Sequence, residues 1–256
     1  MTTQMRWRLF SRSLLLQSCW SFERMQSLGF AFCVEPWLER CYGAQPESRR
    51  EARLRHQEFF NTQPYMAPLV LGMVCALEEE VSSADPEERA AKVERLRALK
   101  SAAASALAGL GDALFWGALR PFCAALALAG ALLLLRRGPA AAAFWAAAAY
   151  LVAYNIPVLS LRWRFLRQGY EWKDEIGVRL KEFAGQRLIR LLRRGGLVLA
   201  IVSAGLMLRA VPPAVRLPGL LALTAAAASK CAGLSGYRLY AGAAAAGFCA
   251  ALAGWL

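Results

Sequence analysis

Histidine is almost absent from this chain: His56 is the only one. Acid is scarce too, with 18 Asp and Glu against 31 Lys and Arg, a net charge of +13. Aspartate occurs at Asp85, Asp112 and Asp174 alone. The seven cysteines, at 19, 33, 41, 75, 123, 231 and 249, include no CxxC pair. These shortages exclude several chemistries. One His and unpaired cysteines leave no tetrahedral zinc set, so no metal and no cofactor is expected. The cysteines read as free thiols acting as small hydrophobes. "GLGD" (109–112) has the GxGD form of an intramembrane aspartyl protease, but Asp85 and Asp174 lie in polar segments, so the second acid is missing. "GLGDAL" lacks the strand and third glycine of a dinucleotide fingerprint, and no Walker A sequence occurs. No serine sits in a nucleophile elbow. A membrane enzyme acting alone is therefore not expected. The N-terminus lacks a long apolar run and a small-residue cleavage site, so no signal peptide is expected.

Apolar residues are abundant: 57% of the chain. The basic residues lie between long apolar runs, which fits loops facing an anionic inner leaflet better than nucleic acid. The expected fold is an all-α integral membrane protein with two short re-entrant hairpins followed by about five transmembrane helices. Residues 1–80 would hold interfacial and re-entrant helices. Trp7, Phe10 and Leu14 share one helical face, with Arg8 and Arg12 on another, as in an interfacial helix. "MQSLGFAFCV" and "YMAPLVLGMVCAL" are both too short to cross a bilayer, which takes roughly 20 apolar residues; Pro68 and Gly72 interrupt the second. Residues 81–105 read as a cytoplasmic helix, with Asp85 as cap, Pro86 in the first turn and Glu88 completing a capping-box-like pattern. A transmembrane hairpin follows over 106–168, with spans at 111–135 and 140–161. Residues 169–194 form a basic amphipathic cytoplasmic segment, with Ile176, Leu180 and Phe183 on one face. The C-terminal spans are 195–211, 217–229 and 240–256. The positive-inside rule puts the N-terminus and the 162–194 region in the cytoplasm and the C-terminus outside.

Within the first span, Asp112 and Arg120 are ionisable residues eight apart, on roughly one helical face. They fit a structural contact or a ligand role. The stretch "HQEFFNTQP" is the other polar concentration. His56, Glu58, Asn61, Thr62 and Gln63 offer donors and acceptors, and Phe59 and Phe60 offer apolar faces. Such mixtures hold neutral sugars; they also cap helices. His56 is open to either a covalent or a structural role on residue chemistry alone.

Four stretches occur in order: "LLLQSCWSFERMQSLGFAFCVEPWLERCYG", "RHQEFFNTQPYMAPLVLGMVCALEEE", "GLGDALFWGALRP" and "RWRFLRQGY". Together they resemble the IID component of the mannose/fructose/sorbose family of the bacterial phosphotransferase system, over most of residues 10–170. The resemblance implies a multi-pass subunit of the bacterial inner membrane. It would pair with a IIC membrane subunit, in a higher IIC–IID oligomer, to move a hexose-type sugar. A cytoplasmic IIAB protein, or separate IIA and IIB, would relay phosphate to that sugar. It implies that IID is not itself a phosphocarrier, which argues against a covalent His56. The substrate candidates are His56, Glu58, Asn61, Thr62 and Gln63, with Trp20, Glu23 and Arg24 from "WSFERM"; Glu23 and Arg24 also fit a plain ion pair. A scaffold subunit, with IIC making every sugar contact, is the alternative. One departure stands out. The family pattern commonly reads "FFNTHP", and here the second His is Gln63, which keeps a donor and an acceptor but loses titration.

Overall fold

In a computed structural model, residues 1–182 and 185–210 are described. The expected spans 217–229 and 240–256, and the C-terminus, lie outside them. Every regular element among the described residues is helical. In chain order these are α1 (Thr3–Ser13), α2 (Ser27–Tyr42), α3 (Pro46–His56), α4 (Ala67–Ser82), α5 (Pro86–Gly111), α6 (Arg120–Leu134), α7 (Pro139–Trp172), α8 (Ile176–Glu182) and α9 (Gly185–Ala210). A π-helical stretch, Asp112–Leu119, joins α5 to α6 without a break.

Prolines punctuate these helices. Pro46, Pro68, Pro86 and Pro139 all sit in a first turn, where a missing N–H costs nothing. Pro68 therefore starts α4 and does not interrupt it. Pro36 and Pro121 withdraw the donor for the carbonyl four residues back, and an arginine serves each of those carbonyls. Arg12 donates to the Phe32 carbonyl at 2.9 Å, and Arg193 Nε donates to the Gly117 carbonyl at 3.3 Å. The π-helical widening of 112–119 lies directly before Pro121, where a regular turn would meet the proline ring. Asp85 has the extended backbone of a cap, but its side chain makes no capping bond; the Glu88 N–H goes to the Asp85 carbonyl. Glu88 pairs with Lys92 at 2.9 Å, so the capping box is not formed.

The two long helical rods do not stop where composition changes. The 52 residues Pro86–Arg137 form one continuous helix, so the expected boundary at 105/106 falls inside it. α7 likewise carries "RWRFLRQGYEW" as its own last turns, beyond the expected span end at 161. These two rods are the ones long and apolar enough to cross a membrane among the described residues. α7 leaves Phe144, Trp145, Leu151, Val152, Ile156 and Leu159 exposed, and α9 leaves Leu197, Val198, Ile201 and Val202 exposed. Apolar surface of that extent suits lipid or a partner subunit. α2 and α4 each have 16 residues, about 24 Å of helix. That is short of a hydrocarbon core of about 30 Å.

α4 is the centre. It packs against α2, α5 and α7, and its residues from Ala67 to Glu78 are all buried. Gly72 is what lets α7 come close. A Cβ there would fall 2.1 Å from the Leu166 carbonyl oxygen, and a Cβ on Gly169 would fall 1.9 Å from that of Leu69. The helices touch backbone to backbone, as small residues permit. Gly72 is thus a packing residue, not an interruption. α1 lies against α7 about one turn before that contact. Arg6 donates to the Trp163 carbonyl and stacks over its ring at 3.9 Å, and Arg162 donates to the Ser13 carbonyl at the end of α1. The thiols of Cys33, Cys75 and Cys123 are free and buried, and Cys19 and Cys41 are free as well.

Gly169→Val should push α4 and α7 apart and lower stability by at least the ~1–3 kcal/mol of an overpacked core. Thermal unfolding of the detergent-solubilised protein measures this, and an unchanged midpoint would refute the backbone contact.

Candidate functional site

The polar stretch 56–63 joins the end of α3 to the start of α4, and its side chains divide between two directions. His56 closes α3 and points inward, fully buried. Its Nε2 lies 2.7 Å from Glu78 Oε1. Arg55, also buried, donates to the same carboxylate from Nε at 2.7 Å and from Nη2 at 2.5 Å, and Tyr42 Oη donates to Glu78 Oε2 at 2.7 Å. Lys100 of α5 approaches His56 Nδ1 at 3.5 Å. An ammonium on Nδ1 and a carboxylate on Nε2 together select the neutral Nε2–H imidazole.

The next residues are tied to the body of the fold. Gln26, just before α2, binds the Thr62 backbone through its side-chain amide in both directions, at 2.8 and 3.2 Å, and its N–H donates to the Phe60 carbonyl. Thr62 Oγ1 donates to the Ala104 carbonyl of α5 at 2.9 Å. Gln63 Oε1 accepts from the N–H groups of Tyr65 and Met66, at 2.7 and 3.2 Å, satisfying donors at the entrance to α4. Its Nε2 is buried without a partner. Gly111 leaves room for it; a Cβ there would lie 2.5 Å from Gln63 Cβ.

The outward residues differ. Glu58, Phe59 and Asn61 are exposed. With Phe60 they form one wall of a cavity of about 330 Å³, whose other wall is the α5 face bearing Arg97, Lys100, Ser101 and Ser105. Glu58 pairs with Arg97 at 2.8 Å. A neighbouring cavity of about 340 Å³ places Arg24 beside Glu58 and Phe59. Trp20 and Glu23 are exposed on the turn segment before α2, and no ion pair joins Glu23 to Arg24 among the described residues. Nor does an ion pair join Asp112 to Arg120 among them. Arg120 instead lies over the Trp116 ring, 5.3 Å from its centroid, and the π-helical turns between the two residues remove the shared α-helical face.

The chain matches the family model of the phosphotransferase-system mannose/fructose/sorbose IID component over residues 1–213. It belongs to that family. The mannose-specific IID component of Escherichia coli K12 is 35% identical over 202 residues, covering 77% of this chain and 64% of the relative. The fructose permease IID component of Bacillus subtilis 168 is 31% identical over 197 residues, covering 77% of this chain and 66% of the relative. The matched region thus spans somewhat less than two thirds of the curated relatives' length. Among solved structures, the mannose transporter ManYZ in complex with microcin E492 contains a similar chain, at 26% identity and TM-score 0.59 over 99% of this chain and 97% of that one. A structure described as a membrane protein matches at 26% identity and TM-score 0.72, with the same coverage.

In this IID chain the anchor that the motif needed, Glu78, escapes sequence reading. "EEE" (78–80) looks like a solvated patch at the end of an apolar run. Each glutamate in fact holds a different element: Glu78 holds α3, Glu79 accepts from Tyr170 Oη of α7 at 2.5 Å, and Glu80 pairs with Lys173 at 2.6 Å. The available signal is spacing. Glu78 falls seven residues after Leu71 and four after Val74, on the apolar stripe of α4.

Burial pushes the His56 pKa down, to about 4 from 6.5; the Glu78 bond opposes this and Lys100 adds to it. For Glu78, burial alone would raise the pKa. The bonds from Arg55 and His56 outweigh it and bring the value to about 2 from 4.5. Both folded values lie below the unfolded ones. The unfolded chain therefore binds protons first, and each contribution is present above the unfolded value and lost as pH falls through the folded one. Stability should fall as pH drops from 6.5 towards 4 through His56, and further from 4.5 towards 2 through Glu78. Glu78→Gln strands Arg55 and should cost about 3–5 kcal/mol. Unfolding midpoints taken along that pH series check both; a pH-independent midpoint would sink the buried-cluster account.

Proposed function

We propose that this chain is the IID membrane subunit of a sugar permease of the phosphotransferase system. With a IIC subunit it forms the translocation unit for a hexose-type sugar, which phospho-IIB phosphorylates during uptake. Family membership carries this reading. The exposed apolar faces of α7 and α9 support a bilayer and partner setting, and the short α2 and α4 suit re-entrant hairpins. The inner-membrane location, the IIC partner, the phosphocarrier IIAB and the cytoplasmic N-terminus are parts of the same proposal. On this reading the 58–61 cavity faces the sugar path. Asn61 and Glu58 supply polar contacts, Phe59 supplies an apolar ring face, and Arg24 lines the neighbouring cavity. His56, Thr62 and Gln63 support the loop from behind, because their hydrogen bonds already go to the fold.

That last observation also favours a second reading. If most of the motif is framework, the chain serves as a scaffold and IIC makes every sugar contact. Asn61→Ala separates the two, because Asn61 is exposed and its loss leaves the framework bonds in place. On the first reading, uptake through the IIC–IID complex should fall several-fold, the scale of one lost hydrogen bond, with assembly retained. Normal uptake, together with unaltered sugar binding by the complex, would take Asn61 out of the path and leave the scaffold reading.

A further inference from the structure

Lys100 is a buried cation that no carboxylate contacts directly among the described residues; Glu58 and Glu78 act on it only through space. It is 5% exposed and forms no ion pair among the described residues. Its Nζ has only long contacts, 3.4 Å to the Arg55 carbonyl and 3.5 Å to His56 Nδ1, and lies 4.9 and 5.5 Å from the ring centroids of Phe30 and Phe60. Glu78, the carboxylate of this cluster, is already engaged by Arg55, His56 and Tyr42. A buried charge in this position is costly unless something pairs with it. Lys100 also lines the cavity against the 58–61 loop.

A second cation shares that cavity. Arg97 precedes Lys100 by three residues, and its Nε is buried without a partner. It pairs with Glu94 at 2.6 Å and with Glu58 at 2.8 Å, and both carboxylates are well exposed, so these pairs are weak and exchangeable. Ser101 and Ser105 follow Arg97 at four and eight residues, one above the other along α5. Among the described residues, Glu58 is the one carboxylate lining the cavity. Two cationic side chains and two hydroxyls therefore face a loop that carries an amide and aromatic rings. At about 330 Å³ the cavity is the size of a small-molecule site.

We propose that this cavity binds a phosphate monoester carried on a sugar. Lys100 and Arg97 meet the phosphate as charge-assisted donors, Arg97 turning from Glu58 to do so, and Ser101 and Ser105 add hydroxyl bonds. Asn61 and the Phe59 ring face the sugar. The phosphate half of this inference stands on the cavity alone. The sugar half rests on the transport reading, in which a phosphorylated sugar is the product released into the cytoplasm. The cavity would then hold product after transfer.

The test is calorimetric binding by the full chain in phosphatidylcholine nanodiscs, with glucose 6-phosphate, glucose and inorganic phosphate as probes. Glucose 6-phosphate should bind, more weakly at high salt. Lys100→Gln and Arg97→Gln should each weaken it roughly tenfold, whereas Lys100→Arg and Asn61→Asp should act oppositely, the first retaining binding and the second reducing it by repulsion. Glucose alone should bind roughly tenfold more weakly or less. If a charge-removing variant fails to fold, Ser101→Ala and Lys100→Arg carry the comparison, with circular dichroism as the control. Inorganic phosphate binding as tightly as glucose 6-phosphate would overturn the sugar half. Loss of glucose 6-phosphate binding when phosphatidic acid is added to the discs would assign the cavity to a lipid headgroup and overturn the proposal. So would no binding by the folded chain. Transport needs partners and this assay does not. Uptake by the complex without glucose 6-phosphate binding defeats only this inference, and binding without uptake defeats only the transport reading.

Discussion

A carboxylate sits at the middle of this protein and has to be neutralised there. α4 is buried along most of its length, so Glu78 cannot turn to water. An unpaired charge in that place would cost several kcal/mol. Three donors meet it: Tyr42 ends α2, and Arg55 and His56 end α3. The requirement therefore fixes where two helices stop relative to a third. Because His56 is the last residue of α3, it also fixes where the following loop leaves the core. The loop then reaches α2 through Gln26 and α5 through Thr62, and Gln63 returns it to α4. Glu58, Phe59 and Asn61 face outward because the residues on both sides of them are held inward.

The excess of arginine acquires a second explanation. Positive residues near membrane helices suit an anionic leaflet, but several of them here serve carbonyls inside the structure. Arg12 and Arg193 attend the carbonyls that Pro36 and Pro121 leave without their usual donors. Arg162 and Arg6 join α1 to α7 in the same manner. Guanidinium suits this work, since it offers five donors and is weakly hydrated. Counting charges for orientation thus counts some side chains that are committed to the fold.

Helix existence was legible from apolar periodicity and from proline placement: Pro86 marks a start that the structure shows. Helix ends were not. No proline falls between Lys100 and Asp112, and Gly109 and Gly111 weaken the helix without ending it, so the polar and apolar parts of the 86–137 rod run on, although their composition suggests separate elements. The polar stretch was legible as a concentration of chemistry, but not as two sets. Loop residues have no period that separates inward from outward side chains, and the partners that pull them inward, Gln26, Glu78 and Ala104, are distant in sequence. Asp112 and Arg120 show the converse. Their spacing is right for a regular helix, and Pro121 makes the intervening turns irregular.

Gln63 gathers these points. As a substitution for a titrating residue, it suggests altered sugar chemistry. In the structure its oxygen instead receives two N–H groups at the start of α4, its nitrogen is buried without a partner, and its Cβ and Cγ lie against Gly111, which has no room for a methyl group. An imidazole can present one ring nitrogen to such donors only when neutral, and its second nitrogen then carries the proton. A primary amide does the same capping at every pH and keeps two donors on the other side. An amide at position 63 thus makes a cap that does not depend on pH. It acts first on the entry to α4, and through α4 on the placement of Asn61 and the cavity, without Gln63 having to touch a sugar.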